Sequence, residues 1–401
     1  MRSRSADAPP TWSTAWATAP TSAAPDRPGG YPGYTFRNVV HTTIGGPLVR
    51  LRLTNRFGSR PVRFGHVTVA LSGHPGARRD GTAALSDGSA QPGTVTDVHF
   101  AGRGDVTVAA GADVLSDPVP LAVPVDADLL VSIWTPEPSG TVTYHRNAKQ
   151  TSYFTHGPAD HAGDVSAAAY AEQTSFWFYV AAVEVTGAPG TIVVLGDSIS
   201  DGGSSPAGAN ARWPDYLAAR LAAGPQPDYG VANSGISGNR VLLDSASPGS
   251  PAASRGGISA QARFGADVLE RSGARAVIVL IGINDIMLPP RQADPARITA
   301  GLAQIAAQAH AAGLRVIGGT LTPWQGRPSY TPERDAVRMA VNNWIRAGGG
   351  GSFDAVADFD RAVRDPMNPM RLRHDYDGGD GLHPNAAGNQ ALAGAVPLDQ
   401  L

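Results

Sequence analysis

The sequence predicts two domains of different class, an antiparallel β-domain over residues 1–187 and a doubly wound parallel α/β domain over residues 188–401. Three observations predict this. The length of 401 residues fits two domains of ordinary size. Upstream of residue 188, short runs alternate polar and apolar residues, as half-buried strands do. Downstream, continuous apolar runs alternate with helical patterns, as in a parallel sheet.

The alternation is clearest at residues 48–54, where Arg50 and Arg52 fall on one face of a strand and Leu51 and Leu53 on the other. Glycine, proline and aspartate separate further runs of this kind. These predicted strands lie at residues 62–71, 93–100, 105–109, 128–134, 141–144 and 175–185. Many short strands at close spacing favour an antiparallel sandwich of jelly-roll type.

Continuous apolar runs in the second half predict strands that are buried on both faces. The predicted strands are residues 191–195, 229–232, 276–281, 314–317 and 353–358. The predicted helices between and after them are residues 213–223, 258–271, 295–312, 332–347 and 386–396. This alternation predicts a parallel sheet with helices on both faces. The stretch at 187–190, which begins and ends with glycine, is the predicted junction between the domains.

Charge and composition argue against several function classes. Lys plus Arg number 32 and Asp plus Glu 34, so the formal net charge of −2 gives no electrostatic case for nucleic acid or an anionic membrane as the main partner. Cysteine is absent, which excludes thiolate nucleophiles and cysteine-ligated metal centres. No run reaches the roughly 18 apolar residues of a membrane span.

Polar groups follow the predicted strands, at the edge where the carboxyl ends of parallel strands meet. They stand in four segments: residues 196–199 (Gly-Asp-Ser-Ile), 233–240 (Asn-Ser-Gly-Ile-Ser-Gly-Asn-Arg), 282–285 (Gly-Ile-Asn-Asp) and 380–385 (Asp-Gly-Leu-His-Pro-Asn). Each segment alone is more common as a turn or a helix cap. Their joint placement at one edge of a sheet predicts a catalytic site.

A serine hydroxyl becomes a nucleophile when a base removes its proton, and these segments contain a serine, a histidine and an aspartate that can act together in this way. Ser198 is the candidate nucleophile, His383 the base, and Asp380 the carboxylate that holds the ring in one tautomer. The oxyanion that forms on the attacked carbonyl needs fixed donors. The backbone N–H groups of Ser198 and Gly238 and the side-chain amide of Asn284 are the candidates.

The order of these segments resembles the SGNH hydrolase family, also called GDSL-type esterases and lipases, over about residues 190–397. The family's four named residues correspond to Ser198, Gly238, Asn284 and His383, and its triad acid corresponds to Asp380. The resemblance implies a flavodoxin-like three-layer sheet, serine-esterase chemistry, no metal and no cofactor. A second glycine, at position 235, is the alternative for the glycine role; position 238 is preferred because Asn-Arg follows it, as in related sequences.

The first half resembles the N-terminal β-domain of a bacterial two-domain subgroup of that family, through residues 36–46 and 51–58. Members of this subgroup begin with a Trp-x-x-x-Trp-x-x-x-Pro run just after a secretion signal. Trp12 and Trp16 fit this pattern, which implies secretion. Because residues 1–20 lack the apolar core of a signal peptide, a cytoplasmic location is the alternative expectation.

Together these observations predict a serine ester hydrolase acting on small acyl esters or acetylated carbohydrates, with the oligomeric state left open. One alternative is an acyltransferase that uses the same triad to acylate an alcohol. Another is a carbohydrate-binding protein with an inert hydrolase fold. Trp324, which follows a predicted strand in a Leu-Thr-Pro-Trp run, Arg240 and His145 are candidate substrate-binding residues, for which structural roles are equally open.

Overall fold

The computed structural model describes residues 11–24, 29–74, 86–225, 228–245 and 256–401. The first ten residues, which belong to the N-terminal stretch expected not to be a signal peptide, lie outside these ranges. Within the ranges described, no helix combines the length and the apolar character that crossing a bilayer requires.

The first half consists of short strands, as predicted. They are β1 (Trp12–Ala17), β2 (Ser22–Ala23), β3 (Tyr34–Thr42), β4 (Val49–Thr54), β5 (Val62–Phe64), β6 (His66–Leu71), β7 (Thr96–Asp97), β8 (Val106–Val108), β9 (Asp113–Leu115), β10 (Ala127–Thr135), β11 (Thr143–His145), β12 (Ser152–His156), β13 (Glu172–Thr174), β14 (Trp177–Phe178) and β15 (Val180–Thr186).

The strands of the first half pair antiparallel in two larger sheets, ordered β1-β15-β4-β9 and β13-β12-β3-β10-β6-β7, and in two smaller ones. In β4, Leu51 and Leu53 are fully buried in the main core of this half. Arg50 and Arg52 point to the other face, where both lie within 4 Å of the buried carboxylate of Glu184. The antiparallel β-domain is therefore confirmed, whereas the jelly-roll arrangement stays a prediction.

The second half contains one parallel sheet flanked by helices. Its strands are β16 (Thr191–Gly196), β17 (Gly230–Gly235), β18 (Ala274–Leu280), β19 (Arg315–Gly319) and β20 (Ala355–Ala357). Its helices are α1 (Ser198–Asp201), α2 (Trp213–Ala223), α3 (Ala260–Phe264), α4 (Ile283–Met287), α5 (Pro295–Ala311), α6 (Pro332–Arg346), α7 (Phe359–Val363) and α8 (Ala386–Gly394).

The strand order β17-β16-β18-β19-β20, with every pair parallel, is that of a doubly wound, flavodoxin-like sheet. Val193 and Leu195 of β16 join one hydrophobic core together with residues of α5 and α6. Ile192 and Val194 join a second core together with residues of α2 and α8. Alternate residues of one strand thus face two helical layers, which confirms the predicted three-layer α/β fold.

Capping residues explain why the helix starts were predictable. The side chain of Asp294 accepts the N–H of Ala296 at the start of α5, and Thr331 accepts the N–H of Arg334 at the start of α6. Each helix begins with a proline, which needs no hydrogen-bond acceptor at that position. The bounds of α2, at residues 213–223, match the prediction.

Other predicted elements were wrong in their bounds. The helix predicted at 258–271 begins only at Ala260, after the capping Ser259, and changes into a π-helical turn at Gly265–Leu269. The strand predicted at 175–185 is divided into β14 and β15 because Tyr179 adopts a positive φ of 59°. A local backbone conformation of this kind cannot be predicted from the pattern of apolar residues.

The two halves are in close contact, and the contact is partly polar and partly apolar, since Ala17 and Ala182 of the first half join a hydrophobic core of the second. Thr14 of β1 donates its N–H to the Thr191 hydroxyl of β16 at 2.8 Å. The buried Arg271 donates to the backbone carbonyls of Thr18 and Ala181. Strand β15 ends at Thr186 and β16 begins at Thr191, and the boundary at 187/188 stays a prediction.

Candidate active site

Ser198 stands immediately after the central strand β16, as the first residue of α1. The preceding Asp197 caps this helix, because its Oδ1 accepts the N–H of Ile199 at 3.0 Å. A side chain at Gly196 would collide with Ser200, since its Cβ would come within 2.2 Å of that hydroxyl. The Gly-Asp-Ser run therefore makes a tight strand-to-helix turn and directs Ser198 into a cavity.

The structure brings Ser198, His383 and Asp380 together. Ser198 Oγ lies 2.8 Å from His383 Nε2, and His383 Nδ1 lies 2.7 Å from Asp380 Oδ2. The other oxygen of Asp380 accepts the backbone N–H groups of Leu382 and His383, at 3.0 and 2.9 Å. The segment is therefore fixed by its own hydrogen bonds, and the arrangement suits proton transfer from the serine to the imidazole.

The surroundings of Asp380 favour its ionised form. Partial burial by itself would raise the pKa of Asp380, but hydrogen bonds from the backbone N–H and the ring of His383 outweigh it, so the pKa is lowered. Arg327 adds a charged contact, with Nη1 3.1 Å from Asp380 Oδ2. The carboxylate is thus ionised at neutral pH and accepts the Nδ1–H of His383.

Gly238 and Asn284 line the same cavity as Ser198. Gly238 has a φ of +82°, and within the described ranges its N–H meets no hydrogen-bond acceptor. Asn284 Nδ2 donates one hydrogen to the carbonyl of Asn239 at 3.0 Å, which fixes the amide and leaves its second hydrogen available. By contrast, the N–H of Gly235 is already bonded to Asn233 Oδ1 and lies in β17. The geometry therefore favours Gly238 over Gly235 as an oxyanion donor.

A second histidine–aspartate pair adjoins this site, and the sequence analysis missed its aspartate. Asp201 Oδ1 lies 3.0 Å from His145 Nε2, while Asp201 Oδ2 accepts the N–H and the hydroxyl of Ser237 at 2.9 and 2.6 Å. Ser237 precedes Gly238. The spacing Ser-x-x-Asp, which puts Asp201 one helical turn after Ser198, was the signal available in the sequence.

Both nitrogens of His145 face acceptors, which favours the doubly protonated ring: Nδ1 lies 2.7 Å from the carbonyl of Ala19, and Nε2 faces Asp201. Burial lowers the pKa of His145, but the charge of Asp201 and its hydrogen bond raise it, with a net increase. Burial by itself would raise the pKa of Asp201. The charge of His145 and the hydrogen bonds from His145 and Ser237 outweigh burial, so the pKa of Asp201 is lowered. The result is a buried ion pair between the β-domain and α1.

The structure does not place the predicted substrate-binding residues Trp324, Arg240 and His145 in the lining of this cavity. Trp324 is fully buried, and its indole N–H donates to Asp335 at 3.0 Å. Trp324 follows the end of β19 at Gly319 and belongs to a hydrophobic core of the second half. Arg240 donates to the carbonyls of Pro289 and Pro290. His145 acts behind the cavity wall, through Asp201.

The cavity has a volume of about 710 Å³, and both halves of the chain line it. The β-domain contributes Thr21, Arg146, Asn147, Lys149, Ser175 and Phe176. Apolar side chains of the second half, Met287, Leu288 and Leu382, complete one wall. A polar reactive corner in a partly apolar cavity is typical of a site for a small molecule.

Comparison with known proteins identifies the family. The model of the GDSL-like lipase/acylhydrolase family matches residues 194–391, which span the parallel sheet and the four polar segments. The chain contains a domain of this family over these residues. It is a hydrolase acting on esters, and its β-domain agrees with the expected two-domain layout.

Solved structures of other hydrolases resemble part of the chain. A GDSL-like lipase from Bacteroides thetaiotaomicron is 19% identical over 51% of this chain and 84% of its own, with a TM-score of 0.38. The acetylxylan esterase Axe2 from Geobacillus stearothermophilus is 21% identical over 52% of this chain and 93% of its own, with a TM-score of 0.39. No curated protein matches the sequence.

Proposed function

We propose that the protein is a serine esterase of the carboxylesterase or acetylesterase type, in which Ser198, His383 and Asp380 act through an acyl-enzyme. The observation that carries this proposal is the unbroken chain of two short contacts, 2.8 Å from Ser198 Oγ to His383 Nε2 and 2.7 Å from His383 Nδ1 to Asp380 Oδ2. Nucleophile, base and orienting carboxylate are thus within hydrogen-bond reach before any substrate binds.

In the first half-reaction, Ser198 Oγ bonds to the acyl carbon while its proton moves to His383 Nε2. The electron pair of the carbonyl double bond moves to oxygen, which becomes an oxyanion. When this pair returns, the bond between the acyl carbon and the alkoxy oxygen breaks. His383 gives its proton to that oxygen, so the alcohol leaves neutral and the acyl group stays on Ser198.

In the second half-reaction, water takes the place of the serine. His383 removes a proton from the water as its oxygen attacks the acyl carbon, and the same oxyanion forms. Collapse breaks the bond to Ser198 Oγ, which recovers its proton from His383. The products are a carboxylic acid and the free enzyme. Asp380 stabilises the doubly protonated ring in both steps and does not itself take up the proton.

The oxyanion is stabilised by the N–H groups of Ser198 and Gly238 and by the amide of Asn284. Donors fixed before the reaction need not reorganise when the charge develops, and each is worth roughly 3–4 kcal/mol of transition-state stabilisation. The bond from Asn284 to the Asn239 carbonyl and the bonds from Ser237 to Asp201 hold two of the three in place.

The substrate class proposed is small acyl esters, including acetylated carbohydrates. The cavity of about 710 Å³ accommodates a small ester. Its polar lining from the β-domain suits a hydrophilic alcohol group better than a long acyl chain. Product analysis with added alcohols would measure any acyl transfer separately from hydrolysis.

The direct test is turnover of p-nitrophenyl acetate by Ser198→Ala. We expect loss of activity by at least about 10⁴-fold, because the nucleophile is gone, with unchanged thermal unfolding. Ser166→Ala, which removes an exposed hydroxyl of the β-domain, is the matched control and should keep full activity. Wild-type turnover in Ser198→Ala would refute the proposal.

A further inference from the structure

A five-residue segment of the β-domain, residues 145–149, reaches the candidate active site and ties down its parts. His145 and Asn147 both contact the carboxylate of Asp201. Lys149 donates from Nζ to the carbonyl of Gly203 at 2.9 Å. Gly203 itself packs against the catalytic imidazole, since a Cβ at this position would lie 2.5 Å from the ring of His383. The side chains of His145, Asn147 and Lys149 are thus all engaged in hydrogen bonds to the α/β domain.

Arg146 is the exception in this segment. It lines the cavity and is half-buried, yet among the residues that the structure describes no hydrogen bond or ion pair engages its guanidinium. The backbone of the segment is held on both sides of Arg146, by the contacts of His145 and Asn147. A long cationic side chain on a fixed backbone therefore points into a cavity without a partner from the chain.

Within the described part of the chain, the charges on the cavity wall also leave Arg146 without a negatively charged partner. Three cations, Arg146, Lys149 and Arg327, line it, and Asp201 is the one carboxylate among its described lining residues. Asp201 is already matched by the charged ring of His145 at 3.0 Å. Arg327 is matched by Asp380 at 3.1 Å. Two positive charges remain uncompensated, and a concave wall of one sign concentrates ligands of the opposite sign.

We propose that Arg146 binds a carboxylate carried by the ester substrate, away from the carbonyl that Ser198 attacks. This rests on the esterase function proposed above and narrows its substrate class to anionic esters. A guanidinium offers two parallel N–H donors that match the two oxygens of a carboxylate. The carboxylate can belong to the acyl group, as in a dicarboxylic monoester, or to the alcohol, as in an acylated uronic acid or hydroxybenzoate.

Two pairs of synthetic esters test the proposal and separate these sources. For the acyl side, the p-nitrophenyl monoester of adipic acid is compared with p-nitrophenyl heptanoate. For the alcohol side, 4-acetoxybenzoate is compared with 4-acetoxybenzamide. The quantity measured is the ratio of kcat/KM for the anionic ester to that for the neutral ester, in the wild type, in Arg146→Gln and in Arg146→Lys.

We expect Arg146→Gln to lower the anionic-to-neutral ratio roughly tenfold in at least one pair, because a hydrogen-bonded charge partner is lost. The ratio for Arg146→Lys should lie between those of the wild type and Arg146→Gln, since an ammonium keeps the positive charge but lacks the two parallel N–H donors of a guanidinium. Arg103→Gln, which removes an arginine whose side chain is 76% exposed in the β-domain, is the matched control and should leave both ratios unchanged.

The pair that responds identifies the side of the ester that carries the carboxylate. If both ratios stay at their wild-type values in Arg146→Gln, the proposal is wrong. Because the comparison uses ratios, a general loss of activity from misfolding does not imitate the expected result. Failure of the wild type to hydrolyse any of the four esters would instead count against the esterase function, which keeps the two outcomes separate.

Discussion

The protein contains two histidine–aspartate pairs near Ser198, and they differ in what the second nitrogen of the ring meets. In the reactive pair, His383 binds Asp380 at 2.7 Å and turns its other nitrogen to the Ser198 hydroxyl. In the buried pair, His145 binds Asp201 at 3.0 Å and turns its other nitrogen to the Ala19 carbonyl. A hydroxyl can give up its proton to the ring, whereas a carbonyl oxygen can only accept a hydrogen bond from the ring N–H.

Exposure separates the pairs as well. The side chains of the reactive pair are 17% and 35% exposed, and those of the buried pair are 1% and 3% exposed. The reactive histidine is therefore accessible to substrate and solvent, while the buried one is shielded from both. The same two residue types thus suit either the proton transfer proposed for His383 or a buried ion pair. In the second case the pair connects the β-domain to Ser237, next to the candidate oxyanion donor Gly238.

The largest stability effect is expected where the buried pair is broken. His145→Gln removes the cation and leaves the carboxylate of Asp201 buried without its charge partner, at a cost of about 3–5 kcal/mol in the free energy of unfolding. The double variant His145→Gln/Asp201→Asn should recover part of that loss, because it removes the stranded charge. Urea unfolding of the wild type, both single variants and the double variant measures the coupling.

The control for this cycle is His310→Gln. His310 Nε2 lies 3.0 Å from Asp354 Oδ2, at the same distance as in the buried pair, but both side chains are more than a third exposed. An exposed pair contributes at most about 1 kcal/mol, so the change should be small. Equal losses in His145→Gln and His310→Gln would contradict the distinction between buried and exposed pairs.

A smaller effect is expected from pH. The folded-state pKa of His145 is raised, since the attraction of Asp201 outweighs the desolvation that opposes it. The stability that this proton contributes is full below the unfolded-state pKa of about 6.5 and is lost as pH rises through the folded-state value. The difference in unfolding free energy between the wild type and His145→Gln should therefore narrow as pH rises. Urea unfolding in a series of buffers measures it, and a difference that widens towards alkaline pH would argue against a charged His145.

The structure brings together the candidate residues that the sequence places at strand ends within one domain. Ser198, Asn284 and His383 each follow a strand or precede a helix, and the parallel topology brings such ends to one edge. The starts of α5 and α6 were predictable from the sequence because a capping residue and a proline mark each of them. These signals are local, so a single sequence contains them.

The contribution of the β-domain was not predictable in the same way. Residues 145–149 form contacts with Asp201, Gly203 and Ser237, all more than 50 positions along the chain, and no local pattern specifies which side chains meet across such a distance. Trp324 differs from these residues: its position after a strand suggested the cavity, but its side chain is fully buried in a hydrophobic core of the second half. Its indole N–H then finds Asp335 as a buried partner.

The central claim is that His383 makes Ser198 the one reactive serine. The most direct measurement is labelling with an alkyl phosphonate ester, followed by peptide mass spectrometry, in the wild type and in His383→Gln. The account predicts one adduct, on the peptide that contains Ser198, in the wild type, and labelling that is slower by orders of magnitude in His383→Gln, with His145→Gln retaining a measurable rate if it folds. An adduct on another serine, or equal labelling of Ser198 without the His383 imidazole, would contradict it.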